Sequence, residues 1–557
     1  PPVRPPRIQT PIIWARSILA LAFALFAALA TRFFTANDPS NRYISKNLDL
    51  LTLTSHDLSD LLQNGTVSSV QLVQEYYRRI LRDDRAGFQL HSIISLAPLD
   101  KTLAIAQERD EERHASKLRG LLQGIPLIVK DNMVTDPVRG MPTTYGAYAL
   151  QYSRYPLNAF VVSKAEEAGA ITIAKANLVE LAGTLTEVVG LSWGNGCKPD
   201  PCGSSSGSGV AVASGFAPVS LGTDTTGSVT CVADFNALYG IRPSFGLLSR
   251  TGILSTTASF DTPGILAKSA VDVAQWLDVL AQPDGRDPIT VEAHKNRSPS
   301  YIEGLHQDWK RWRIGVLDRG AFWNASRAIF VTPEQDLQKL AESNDALVKM
   351  EALGATVVDD VPYPLAAESR QVLDTYSARL YHELKDNLDA YLSRLENTSI
   401  HNVKQLYKFN KANPKLAFDK GHDDQEFLEG ALASNLTATE LDANLALLEH
   451  YSREVNTEAI LDKYNLDFVV FPGFTWMNVY NALSGNPYGV VPLGRYHNGR
   501  PFGLGFIARR FQDHELLSPM KAYEAAFPPR QIPRIFNSQS LWRYYWVRLV
   551  RPVLAIF

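Results

Sequence analysis

Lys130, Ser204 and Ser228 are the side chains whose types and surroundings could do chemistry. Ser204 sits in "DPCGSSSGSGVAV", Asp200 to Val212, where seven of thirteen residues are Gly or Ser. That density suits a flexible linker, and a linker should be followed by an independently patterned region. Here the run passes directly into the apolar "VAVASGFA" and then the strand-like "VSLGTD". It therefore reads as a loop feeding a helix, where small residues allow close backbone approach and N–H groups face outward. Ser228 lies in a second small-residue loop, "GTDTTGSV". A serine is a weak nucleophile until a base removes its proton, and no histidine lies between His114 and His294. A lysine can serve if burial lowers its pKa toward neutrality. Lys130 ends the apolar run "IPLIV", where such burial is expected. On residue types alone a Ser/Lys hydrolase competes with a plainer reading, a lysine closing a strand and serines filling tight turns.

The elements that must position these residues follow from periodicity. Ser55 in "SHDLSDLLQNG" is placed to cap a short helix and Gly65 to end it. Ser68 and Gln71 form a capping-box pattern before an apolar stripe, Val70, Val73, Tyr77 and Ile80. "GIPLIVKDN" is a strand with Pro126 near its start. "NAFVVSKAEEAGAITIAKAN" gives a helix, a stop at Gly169 and a strand over Ile171–Ala174. A helix through Val210–Phe216 precedes "VSLGTD"; "WRIGVLD", "ATVVDDV" and "DFVVFPG" are later strands. Strands alternating with helices define an α/β fold around a mixed or parallel sheet. Residues 285–300 read as a surface excursion, and 368–462 as an almost wholly helical cover.

The 557 residues are 45% apolar and 20% charged, an ordinary globular balance. A net charge of −3 with scattered Lys and Arg gives no footprint for nucleic acid. Three cysteines, Cys197, Cys202 and Cys231, make no disulfide scaffold and no CxxC metal pattern. Cys197 and Cys202 are close enough in sequence to pair, free thiols fit equally, and Cys231 reads as packed core. "SILALAFALFAALAT", Ser17–Thr31, lies between arginines and carries Ala28-Leu29-Ala30 in cleavage-site form. It reads as a signal peptide, with an N-terminal membrane anchor as the alternative. Sequons begin at Asn64, Asn296, Asn324, Asn397 and Asn435 and fit a secretory route.

These segments resemble the amidase signature family, in a pattern nearest its fungal-type members. "GLLQGIPLIVKDN" resembles the family's lysine strand, "CGSSSGSG" its G-G-S-S-G-G segment, and "GTDTTGSV" its G-T-D-x-G-G-S segment. "YGIRPSFGLLSRTGILSTTASFDTPG" and "GVVPLGRYHNGRPFGLGFIARRFQDHELL" continue the match. The resemblance implies one large α/β/α domain with a twisted mixed β-sheet over 45–530, an N-terminal segment 1–36 and a C-terminal extension 531–557. It implies a Ser–cis-Ser–Lys triad: Lys130 as base, Ser204 as bridge, Ser228 as nucleophile, with a cis Gly203–Ser204 peptide. Backbone N–H groups of Thr225, Thr226, Gly227 and Ser228 would form the oxyanion hole, while Gly203, Ser205 and Asp224 support the site. The substrate would be a small-molecule or acyl amide, with no cofactor or metal. Asp131 and Asn132 are expected to orient the lysine loop. The family also contains transamidase subunits, and an inactive scaffold is a further alternative.

Five positions depart from the family pattern. Cys202 and Ser206 stand at usual glycines, Thr226 at a usual Gly or Ala, and Thr230 and Val232 at an Arg and a Pro. Loss of that Arg predicts a missing cation beside Asp224.

Overall fold

The computed structural model describes residues 48–181, 200–319, 332–362, 369–418, 425–475 and 477–536. The chain from Leu50 onward forms one compact unit. The expected leader and residues 537–557 of the expected extension lie outside the described residues. Among the described residues, no helix is long and apolar enough to cross a membrane.

Among the described residues, eleven strands form one sheet: β1 (Ile93–Leu96), β2 (Pro126–Lys130), β3 (Ile171–Ala176), β4 (Val219–Asp224), β5 (Tyr239–Arg242), β6 (Thr262–Ala267), β7 (Arg313–Leu317), β8 (Thr356–Val361), β9 (Phe468–Pro472), β10 (Tyr488–Arg495) and β11 (Pro501–Ala508). Their spatial order is β1-β3-β2-β4-β6-β5-β10-β11-β9-β7-β8. β2 runs parallel to both β3 and β4, and β7 runs parallel to β8 and β9. The remaining pairs are antiparallel, so the sheet is mixed as expected. Every residue of β2 to β6 is buried. Strands covered on both faces read as continuous apolar runs rather than alternations, which is why "PLIV" and "ITIA" are so uniform. The outer strand β8 differs, with Asp359 and Asp360 exposed on it.

Helices pack on both faces: α1 (Ser55–Gln63), α2 (Ser69–Ile80), α3 (Leu99–His114), α4 (Phe160–Glu167), α5 (Ser206–Ala213), α6 (Thr230–Phe235), α7 (Ala270–Leu280), α8 (Pro333–Ala352), α9 (Ser369–Leu392), α10 (Val403–Ala412), α11 (Glu426–Ala433) and α12 (Ala438–Glu449) among them. In α2 the Ser68/Gln71 capping box is present, and Val73, Tyr77 and Ile80 are buried. In α1 the cap is Thr54, boxed with Asp57, and Ser55 is instead the first helical residue, buried against α7. Its N–H and that of His56 donate to Asp272 at 3.0 Å each, a long-range contact no local pattern contains. The segment at 285–300 is largely exposed, as expected of a surface excursion, but it holds a short helix, Ile289–His294, and buries Asp287, Thr290 and Ala293. Asp287 is tied to Arg250 at 2.8 Å.

The helical cover is present. Leu384, Leu388 and Leu392 of α9, with Leu406 of α10 and Leu428 of α11, pack against Val134, Leu150, Leu178 and Leu254. Each such side chain fully buried contributes about 1.5–3 kcal/mol. The cover is thereby anchored to the loops that leave β2 and β3.

Candidate active site

Lys130 is the last residue of β2 and Asp224 the last of β4, its parallel neighbour. Their carboxyl ends lie side by side, the edge where open α/β sheets hold ligands. The helix predicted from Val210 starts earlier, at Ser206, and all eight residues of α5 are buried. Serine and glycine at its start let the backbone approach what larger residues would exclude. A Cβ at Gly207 would lie 2.3 Å from Ser92 O and 2.5 Å from Asn177 O.

Lys130 Nζ donates to Ser204 Oγ at 2.7 Å and to Thr223 Oγ1 at 2.9 Å, with Thr223 O at 3.4 Å. The side chain is fully buried. Desolvation pushes the amine down to about 7, against the pull of Asp261 and Asp224, which favour the ammonium. Asn132 Nδ2 donates to Thr223 Oγ1 and to Leu254 O, both at 3.0 Å, fixing the threonine that faces the lysine. Asp131 turns the other way. It faces buried Lys175 of β3 at 3.4 Å and accepts from Thr144 N at 3.0 Å. Both residues therefore orient the turn after β2.

The Gly203–Ser204 peptide is cis. Val179 N donates to Ser204 O at 3.1 Å, and a Cβ on Gly203 would lie 2.6 Å from Val179 Cγ2. Ser205 is wholly buried; its Oγ donates to Thr223 O at 3.1 Å and accepts from Thr223 N at 3.2 Å. Its N–H donates to Ser228 O at 3.2 Å, bringing the two serine loops together. Ser228 is half-buried. Its hydroxyl makes no hydrogen bond among the described residues, Ser204 Oγ included, so it stands available to an incoming group.

The loop before Ser228 is organised by Asp224. Asp224 Oδ1 accepts from Gly227 N at 2.7 Å, and Oδ2 from Val229 N at 2.8 Å and Thr230 N at 3.1 Å. The expectation that Gly227 N–H is free for an oxyanion is corrected to that extent. The N–H groups of Thr225, Thr226 and Ser228 meet no acceptor among the described residues. Gly227 itself has φ +124°, a conformation that requires glycine.

The missing-cation expectation is also corrected. Arg242, fully buried at the end of β5, lies 3.1 Å from Asp224 Oδ1 and donates to Asp224 O and Phe260 O. A cation reaches Asp224 from across the sheet, 18 residues on in sequence, which no pattern around Ser228 contains. Thr230 fills the neighbouring space, donating to Asp224 Oδ2 at 3.3 Å and accepting from Asn478 Nδ2 at 2.8 Å. The cysteine pairing differs too: Cys202 and Cys231 form a disulfide, with Cα atoms 6.0 Å apart, and Cys197 lies outside the described residues. Sequence proximity favoured the wrong partner because the fold brings the start of α6 beside the Ser204 loop. A separate cleft of about 220 Å³, lined by Thr135, Thr143, Tyr152 and Arg154 among others, holds none of the three candidate residues.

A buried lysine and two serine loops thus meet at one strand edge of a mixed α/β sheet. The Amidase family pattern matches residues 71–517, and the chain belongs to that family. It is 28% identical over 532 residues to a Schizosaccharomyces pombe protein that carries the amidase name, covering 88% of each chain. It is 29% identical to a glutamyl-tRNA(Gln) amidotransferase component of Acinetobacter baylyi, over 86% of this chain and 96% of that one. The native peptide amidase from Stenotrophomonas maltophilia superposes with a TM-score of 0.74 at 30% identity, covering 86% of this chain and 98% of that chain. The protein is an amidase.

Proposed function

We propose that the protein hydrolyses a linear carboxylic amide through an acyl-enzyme on Ser228. Neutral Lys130 takes a proton from Ser204, which takes one from Ser228, and the Ser228 oxygen attacks the amide carbonyl. Amides of Thr225, Thr226 and Ser228 stabilise the oxyanion; losing one such donor typically costs about 3–4 kcal/mol. The relay then returns the proton to the leaving amine, and water releases the acid. The observation that carries this reading is the 2.7 Å contact between Ser204 Oγ and a fully buried lysine whose amine is lowered to about 7. Half the lysine population is then neutral near physiological pH, without any histidine.

The test is labelling by a fluorophosphonate probe with peptide mapping. Modification of Ser228, abolished in Ser228→Ala, is expected. A folded wild-type protein that never labels and hydrolyses no amide refutes the reading. The amidotransferase relative motivates a second reading, ammonia release to a partner protein. Co-purification of such a partner would favour it.

The disulfide and the exposed sequon residues Asn64, Asn296, Asn397 and Asn435 support a secretory location, secreted or tethered through the 17–31 segment. A mobility shift on glycosidase treatment of protein made in eukaryotic cells is expected.

A further inference from the structure

Cys202 lies two residues before Ser204, and Cys231 lies three residues after Ser228 in the first turn of α6. Their bond is the one covalent tie between the two serine loops among the described residues. The hydrogen bonds between them are Ser205 N to Ser228 O at 3.2 Å and the pair that Ser205 Oγ makes with Thr223 O and N at 3.1 and 3.2 Å, at the far end of the second loop from Ser228; beyond the loop, Asn236 Nδ2 donates to Pro201 O at 3.0 Å. Cys202 holds φ +60°, a left-handed conformation that a Cβ disfavours and glycine adopts freely. A glycine there would be the easier residue for the backbone, and the bond to Cys231 is what the cysteine adds. Both cysteines are nearly shut off from solvent, Cys202 at 9% exposure and Cys231 at 0%.

We infer that the Cys202–Cys231 disulfide is a positioning pair: it holds Ser204 and Ser228 in mutual register for proton relay. The inference rests on the reading of those serines as bridge and nucleophile. Lys130 is fixed independently at the end of β2, so the bond governs one junction of the relay, between the two hydroxyls. That junction is the one not closed by a hydrogen bond in the resting protein. Small displacements there affect turnover steeply, because about 1 Å of misplacement can lower a rate 10²-fold. Reduction by a dithiol breaks the single S–S bond and delivers two electrons and two protons to give two thiols. The reductant leaves as its cyclic disulfide.

The experiment compares oxidised wild type with a Cys202→Gly/Cys231→Ala double variant, in which glycine suits φ +60°. Hydrolysis of a short aliphatic amide gives kcat and KM, and fluorophosphonate labelling gives a second rate. Expected are a fall in kcat and labelling rate of about tenfold or more, KM within twofold, and unchanged circular dichroism well below the melting temperature. A lower melting temperature with kcat retained, a change confined to KM, or free thiols at both positions in the oxidised protein overturns the inference. If the double variant does not fold, wild type reduced by dithiothreitol and verified by alkylation replaces it. Loss of kcat restored by reoxidation is then expected, and undiminished kcat overturns the inference. Oxidised wild type that neither labels nor hydrolyses overturns the functional reading as well; an active wild type with an unaffected variant overturns this inference alone.

Discussion

At the scale of single residues, the proposed mechanism turns on the amine of Lys130. Because its conjugate acid is lowered to about 7 by burial, activity should rise with pH through that value. Below it kcat/KM should fall about tenfold per pH unit, read from a pH–rate profile. Lys130→Ala should lower turnover by at least about 10² and move the optimum upward; wild-type rate near neutral pH in that variant refutes the base assignment. Arg242 decides stability instead. Its guanidinium faces Asp224 with both side chains buried, so Arg242→Met leaves a carboxylate without its cation. Breaking such a pair costs about 3–5 kcal/mol, to be measured by denaturant unfolding. The contact of Lys130 with Ser204 and the meeting of the two serine loops were legible in the sequence because each residue sits in a contiguous motif. Arg242 and the Cys202–Cys231 bond were not, because their partners are set by strand order rather than by spacing.

At the scale of elements, the site depends on how closely α5 meets the ends of β1 and β3. Gly207 has no room for a methyl group against Ser92 O and Asn177 O. Gly207→Ala should therefore displace the Ser204 loop and destabilise the fold by about 1–3 kcal/mol, the usual range for overpacking. A thermal melt together with a lowered probe-labelling rate checks both consequences. Most strands were legible as apolar runs between turn residues, since a sheet covered on both faces leaves no alternation to misread. Element ends were less so. α5 begins four residues before the apolar run that betrays it, because serine and glycine carry no helical signal of their own. The cap of α1 fell on Thr54 because Ser55 is claimed by Asp272 on a distant helix.

At the scale of the molecule, buried titratable groups tie stability to pH. Between about pH 7 and the ordinary lysine value, an unfolded chain holds a proton at position 130 that the native chain has lost. Unfolding free energy should therefore rise with pH across that window, by at most about 1.4 kcal/mol per unit for this one group. The slope should be smaller in Lys130→Met, measured by urea unfolding in buffers about one pH unit apart across the window. Lys175 contributes in the same direction, its amine lowered to about 8 by burial despite Asp131. The α/β class was visible from the alternation of strand and helix, whereas the single compact unit was implied only by the family resemblance, since length alone allows several domains. The order of strands was not, since local pattern gives no information on which strands pair.

The outer strand β8 carries a further implication. Its Asp359 and Asp360 face water at a border whose peptide groups have, among the described residues, one strand neighbour, β7. Such a border is a template for a second copy to extend, and charges there oppose stacking into fibrils. Charge on this border would favour colloidal solubility, at the end of the sheet far from β2 and β4 and the candidate site between them.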